Sequence, residues 1–80
     1  MKITIKIFAG LREFIPDEFN INVDNNCTVE QLKKLLIKKF PEASKLLNSS
    51  RFVVNEEFVD NKEVINKNAT VYIIPPVSGG

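Results

Sequence analysis

Apolar and polar residues alternate along the start of the chain. In residues 2–8 an isoleucine occupies every second position, and the positions between hold lysine, threonine or, at the end, Phe8. A period of two places successive side chains on opposite faces of a strand, so this segment predicts a half-buried β-strand. Phe19, Ile21 and Val23 repeat the pattern and predict a second strand, antiparallel to the first. Residues 9–17 are predicted to connect the two strands.

From Thr28 onward the apolar period lengthens to that of a helix. Thr28 and Gln31 have the spacing of a capping box, which marks the N-terminus of a helix. Pro41 disfavours helical geometry in the residue before it, so the helix is predicted to end near Lys39. The apolar stripe of this helix consists of Val29, Leu32, Leu35, Leu36 and Phe40. The lysines between them are interpreted as a solvated face, and residues 41–47 as one further helical turn.

Two short strands are predicted after the helix. Residues 51–55 alternate, with Phe52 and Val54 on one side. A tight turn at residues 55–57 then leads into a short strand at residues 58–59. These two segments therefore predict a second hairpin.

The final apolar segment, residues 70–74, predicts the central strand of the sheet, because it is apolar on both faces. A polar connection precedes it, in which Asn68 suits a left-handed turn. The element order predicts one α+β domain over residues 1–80, with the β-grasp, ubiquitin-like arrangement. In this fold a mixed sheet of about five strands carries one main helix across one face, and residues 73–80 form the strand end and a projecting C-terminal tail.

The two faces of such a sheet have different predicted roles. The inner face, packed on Leu32, Leu36 and Phe40, is predicted to hold Ile3, Ile5, Ile7, Phe19, Ile21, Val23, Val71 and Ile73. The outer face is predicted to carry Phe8, Tyr72 and Ile74, although Phe8 could instead fold over the strand end. An outward apolar patch beside a projecting tail indicates a partner protein.

Composition excludes several classes of function. Eleven Lys and Arg against ten Asp and Glu give a net charge of +1, which provides no electrostatic basis for binding nucleic acid or membrane. The sequence has no histidine and one cysteine, so an internal disulfide, a zinc site and a catalytic triad are not expected. Cys27 is interpreted as structural rather than as a sulfur donor. With no long apolar run and no secretory leader, a cytoplasmic location is expected.

The most distinctive segment follows the final strand. Pro75 and Pro76 cannot donate to a strand ladder, so they are predicted to end pairing and to send the tail away from the domain, with a reach of roughly 20 Å. Gly79 and Gly80 have no Cβ, so this backbone can pass through a channel too narrow for a side chain. The carboxylate of Gly80 is therefore the predicted reacting group. Terminal glycines also occur as frayed or cloning-derived ends.

Three motifs together resemble a known family. The sequence IKIFAGLRE at residues 5–13, the Val-Asn turn at residues 54–55 and the ending PPVSGG are similar to the small subunit of molybdopterin synthase. The resemblance implies a sulfur carrier in molybdenum cofactor biosynthesis, one subunit of a sulfurtransferase that is not catalytic on its own. An adenylating enzyme of the ubiquitin-activating type would consume ATP to activate Gly80, and a sulfur donor of the desulfurase or rhodanese type would convert it to a thiocarboxylate. The implied chain binds no stable cofactor and no metal.

The resemblance also implies the partner and its contacts. The thiocarboxylate of Gly80, threaded through Gly79, would donate sulfur to cyclic pyranopterin monophosphate in the large subunit, forming the dithiolene of molybdopterin. Two small and two large subunits would form a heterotetramer. The residues implied to contact the large subunit are Phe8, Arg12, Phe58, Ile74, Pro75, Pro76, Val77 and Ser78. The chain departs from the family at residues 67–69, where Asp-Gly-Asp is frequent, and at Ile74, where an aromatic residue is common.

Other functions remain open on the sequence alone. A sulfur carrier for thiazole synthesis also ends in two glycines, but such chains are usually shorter and lack the Pro-Pro-Val-Ser segment. A ubiquitin-like modifier would form isopeptide bonds with lysines of target proteins. A binding module without chemistry would use the outer face and not the tail.

Overall fold

The computed structural model describes residues 1–76, which form a five-stranded sheet with helices on one face. The strands are β1 (Lys2–Ile7), β2 (Glu18–Asn22), β3 (Arg51–Val54), β4 (Glu57–Val59) and β5 (Thr70–Ile74). The helices are α1 (Val29–Lys39) and α2 (Ser44–Ser49), with short 3-10 helices at Ala9–Glu13 and Pro41–Ala43. All predicted strands are confirmed, with boundaries shifted by one residue at several ends. The single turn predicted for residues 41–47 is instead a 3-10 turn followed by α2.

The strand order is β2-β1-β5-β3-β4. β1 pairs antiparallel with β2 and parallel with β5, whereas β5 pairs antiparallel with β3. The sheet is therefore mixed and β5 is its central strand, as predicted. An α+β fold in which a helix crosses such a sheet is the β-grasp, ubiquitin-like arrangement that the element order predicted.

The N-terminus of α1 is held from two sides. The hydroxyl of Thr28 accepts a hydrogen bond from the backbone N–H of Gln31, and the Gln31 side chain accepts one from the N–H of Thr28, which confirms the capping box. The next donors are satisfied by the connection before β5: the N–H of Val29 donates to the carbonyl of Glu63 at 2.9 Å, and that of Glu30 to Asn61 at 3.0 Å. The segment before β5, which was predicted as a polar connection, therefore supplies hydrogen-bond acceptors to the first turn of α1.

The core lies between α1 and the inner face of the sheet, and it is larger than the alternation of the strands predicts. Leu11, Ile15 and Ile65 are fully buried although they lie outside strands and long helices. One member of the predicted apolar stripe is misplaced: Leu35 is 39% exposed. It borders a surface groove beside residues 23–27 instead of facing the sheet, so the helix buries a narrower stripe than the sequence suggests.

Within residues 1–76, each helix is too short or too polar to cross a lipid bilayer.

Candidate partner-binding site

The outer face of the sheet exposes a continuous apolar surface near the end of β5. Strand register places Val53 opposite both Tyr72 and Phe58, so these three side chains lie on one face. Ile74 lies on the same face, because Val71 and Ile73 of the same strand point into the core. We call this surface the outer patch: Phe8, Val53, Phe58, Tyr72 and Ile74. The helices lie across the other face, so the outer patch is open to a partner.

Phe8 joins the outer patch by stacking on Tyr72. The two rings are 5.8 Å apart between centroids and inclined by 13°, an offset-stacked arrangement. Phe8 remains 40% exposed, and Phe58, at the far side of the patch, is 59% exposed. Such exposure of two phenylalanines on one face is unusual unless a partner covers them. The prediction that Phe8, Tyr72 and Ile74 share the outer face is confirmed; their contact with a partner stays a prediction.

Cations border the outer patch. The Lys6 ammonium lies 5.5 Å from the centroid of the Tyr72 ring, and the Arg51 guanidinium carbon lies 4.1 Å from that of Phe58. Sequence analysis did not identify Arg51 or Val53 as site residues. The alternating pattern did contain this information, because it places Arg51 and Val53 on the face of β3 away from Phe52 and Val54. The turn at residues 55–56 then brings Phe58 beside them.

Arg12, the predicted charged contact, is engaged within the chain. Its Nε and one terminal nitrogen donate to the two carboxylate oxygens of Asp17 at 3.0 and 3.1 Å. Both side chains are exposed, so water screens this pair and it adds little stability. The pair ties the 3-10 helix after β1 to the segment before β2. A partner that binds Arg12 would have to share it with Asp17.

The base of the predicted tail is partly anchored. Strand pairing ends at Ile74, as the two prolines predict, and the Ile74 side chain is exposed. Pro75 is buried, however, whereas Pro76 is exposed. Pro75 therefore still packs against the domain, one residue beyond the end of strand pairing. Val77, Ser78, Gly79 and Gly80, including both residues assigned to the chemistry, lie outside the described residues.

Cys27 lies far from the outer patch, in the turn that leads into α1. Its side chain is buried, and the thiol donates a hydrogen bond to the carbonyl of Thr28 at 3.4 Å. Burial raises the pKa of this thiol, and the nearby Asp24 carboxylate raises the pKa further. A buried, protonated thiol is a weak nucleophile, which favours the structural interpretation. Residues 1–76 contain no cluster of three or more metal-ligating side chains.

Known structures share this architecture over the full chain. SAMP1 from Haloferax volcanii aligns with a TM-score of 0.85 at 24% identity, covering 100% of both chains. A complex of subunits 1 and 2 of molybdopterin-converting factor from Helicobacter pylori aligns with a TM-score of 0.71 at 16% identity, also over 100% of both chains. At these identities the alignments establish the ubiquitin-like fold alone.

Sequence comparison identifies the family. The molybdopterin synthase sulfur carrier subunit of Dictyostelium discoideum is 33% identical over 81 residues, covering 95% of this chain and 93% of the relative. The family model described as ThiS family matches residues 5–80, which includes the segment beyond the described residues. This chain therefore belongs to the ThiS family of ubiquitin-like proteins, among relatives of the molybdopterin synthase sulfur carrier subunits.

Proposed function

We propose that this chain is the sulfur carrier subunit of a molybdopterin synthase, with Gly80 as the carrier of sulfur. The observation that carries the proposal is the outer patch, an exposed apolar surface beside the strand that leads into Pro75 and the tail. A carrier must dock through its body while its terminus reaches into another protein. The sulfur-carrier relatives and the family match through Gly80 support the same role.

The chemistry requires activation of a carboxylate. In the proposed cycle, a carboxylate oxygen of Gly80 attacks the α-phosphate of ATP in an adenylating enzyme, and pyrophosphate leaves. The outer sulfur of a cysteine persulfide on a donor protein of the desulfurase or rhodanese type then displaces AMP, giving an acyl disulfide. A second cysteine thiolate of the donor or the adenylating enzyme cleaves the S–S bond, forms a disulfide with the donor cysteine and releases the terminus as a thiocarboxylate. This chain contributes no acid, base or metal to these steps, which agrees with the protonated state of Cys27 and the lack of histidine.

In the proposed function, this chain binds the large subunit of the synthase. Two small and two large subunits would form a heterotetramer. The name of the Helicobacter pylori structure describes a complex of subunits 1 and 2 of molybdopterin-converting factor. In the proposed complex the outer patch docks on the large subunit through Phe8, Phe58 and Ile74, with Arg12 as a further contact. Residues 76–80 then extend into its active site, where the thiocarboxylate gives sulfur to cyclic pyranopterin monophosphate.

Deletion of Gly80, or addition of one residue after it, tests the role of the terminus. Both variants should fold normally, because the last residues of a domain usually contribute little stability. Neither variant should gain sulfur or support molybdopterin synthesis. The measurement is intact mass after incubation with adenylating enzyme, ATP and sulfur donor, followed by a reconstituted synthase assay. Gly79→Val should also fail in the synthase assay, since its side chain would obstruct the channel.

Gly10→Ala is the matched control. A Cβ at Gly10 would meet Leu46 Cδ1 at 3.9 Å, an ordinary van der Waals distance, so this glycine change should leave sulfur loading intact. Full sulfur transfer by either Gly80 variant would disprove the proposal. A mass gain equal to a whole protein, rather than the exchange of one oxygen for sulfur, would instead indicate a modifier.

A further inference from the structure

Arg51 is held over the most exposed aromatic ring of the outer patch. Its guanidinium carbon lies 4.1 Å from the centroid of the Phe58 ring, which is 59% exposed. An aromatic face attracts the cation but accepts none of its N–H groups in a regular hydrogen bond. The ion pairs among residues 1–76 use Lys6, Arg12 and Lys34, so within this range no carboxylate pairs with Arg51. The guanidinium is thus ordered by the ring and has N–H donors available for another molecule.

The strand positions of the outer face carry positive charge. The carboxylate that comes next to Arg51 in the β3–β4 register is that of Asp60, directly after β4, and it accepts a hydrogen bond from the N–H of Lys62. The outward positions of β1, β3, β4 and β5 include three cations and no carboxylate, and these cations are Lys2, Lys6 and Arg51. Lys6 contacts a carboxylate only at the β2 side, where Glu18 lies at 3.9 Å. On the β3 and β4 side, the strand positions of the outer face therefore combine apolar side chains with one cation, Arg51, which forms no ion pair within residues 1–76. A complementary surface is apolar and carries negative charge at its rim.

Arg51 also lies beside the start of the tail. In the β3–β5 ladder it is opposite Ile74, the last residue of β5, and Pro75 follows directly. Any protein that covers Ile74 and guides the tail must therefore approach Arg51. Aromatic and arginine side chains are the residue types that most often dominate binding energy at protein interfaces.

We propose that Arg51 determines partner specificity by binding a carboxylate of the partner protein, beside the apolar pocket that receives Phe58. This inference rests on the proposed function, because it takes the outer patch as the docking face for the large subunit. The planar guanidinium matches a carboxylate with two parallel N–H···O bonds, which lysine cannot reproduce. Phe58 supplies the apolar contact and holds Arg51 in place. The partner surface is thereby specified as an aromatic-sized pocket with an Asp or Glu at its edge.

Binding of purified large subunit from the same organism to full-length Arg51 variants tests this inference. Arg51→Gln and Arg51→Met should each weaken binding about tenfold or more, whereas Arg51→Lys should weaken binding by a smaller factor. Arg51→Met separates charge from packing, because it keeps an apolar chain over Phe58. Added salt should weaken the wild-type complex more than either uncharged variant, since a charge pair across the interface is screened. Lys38→Gln, an exposed lysine on α1, should bind with wild-type affinity and salt dependence.

Two phenylalanine variants distinguish failure of this inference from failure of the docking face. Phe8 and Phe14 are each 40% exposed, but Phe14 lies beside Phe40 and Pro41 on the helical side. Phe8→Ala should weaken binding about tenfold, and Phe14→Ala should not. If neither variant weakens binding, the outer patch is not the docking face, and the proposed contact of Arg51 is disproved as well. If Phe8→Ala weakens binding while Arg51→Met retains wild-type affinity, the docking face stands and the carboxylate contact is disproved.

Discussion

At the scale of single residues, the Cys27 thiol illustrates how position decides chemistry. It is covered at the start of α1, and its hydrogen donates to the carbonyl of Thr28. Burial is the larger cause of its raised pKa and the Asp24 carboxylate the smaller one. Both favour the neutral thiol, so this side chain packs as a small apolar group. A sulfur carrier that uses its terminus does not require this sulfur.

The raised pKa predicts how stability depends on pH. Below the ordinary thiol pKa of 9.0, Cys27 is neutral in the folded and the unfolded chain, and its contribution to stability is intact. Above that value the unfolded chain ionises first, so this contribution is lost as pH rises through the folded-state pKa. The stability advantage of wild type over Cys27→Ala should therefore shrink between pH 7 and pH 10. Urea denaturation of both proteins measures it; an advantage that stays constant across this range would contradict burial as the cause.

Residue-level predictions of burial mostly follow the apolar period, although Leu35 lies within the helical period and is exposed. The alternation along β1 correctly separates Ile5 from Lys6. Leu11 and Ile65 are buried by loops that fold back over the core, and such packing leaves no periodic signal in the sequence. The contact between Arg51 and Phe58 crosses the second hairpin, so its prediction requires the strand register in addition to the alternation.

At the scale of elements, α1 depends on contacts at its first turn. Four backbone N–H groups at a helix start lack partners within the helix, and here the Thr28 hydroxyl and two loop carbonyls accept from three of them. The capping box could be predicted because its chemistry is local to four residues. The two contacts with loop carbonyls could not be predicted. Residues 61 and 63 are distant from the helix start in the sequence, and a backbone carbonyl does not depend on the side chain of its residue.

Thr28→Ala should destabilise the protein by about 1 kcal/mol, because it removes the acceptor for the Gln31 N–H. Thr28→Ser keeps the hydroxyl and should remain near wild type. Chemical denaturation of the two variants measures both free energies of unfolding. Equal destabilisation by Ala and Ser would attribute the loss to packing of the threonine methyl group and not to the cap.

At the scale of the whole molecule, the two faces of the sheet differ in what covers them. Its inner face is covered by α1 and holds the core, while its outer face presents the outer patch and three cations. The overall topology was predictable, because the two hairpins, the helix and the apolar final strand have few compatible arrangements. The burial of Pro75 could not be predicted, because it arises from tertiary packing that its sequence neighbours do not indicate. The function of the tail stays a prediction.

The central position of β5 has a consequence for biosynthesis. Translation proceeds from N- to C-terminus, so the strand that joins β1 to β3 is the last of the five to be made. Until it emerges from the ribosome, the two hairpins have no ladder between them, and the nascent chain cannot close its sheet. A fragment ending at Ala69 should therefore lack cooperative thermal unfolding and be degraded rapidly by protease, whereas a chain ending at Pro76 should resist. Since β5 immediately precedes Pro75 and the tail, a chain that stops before β5 lacks both the closed sheet and the tail.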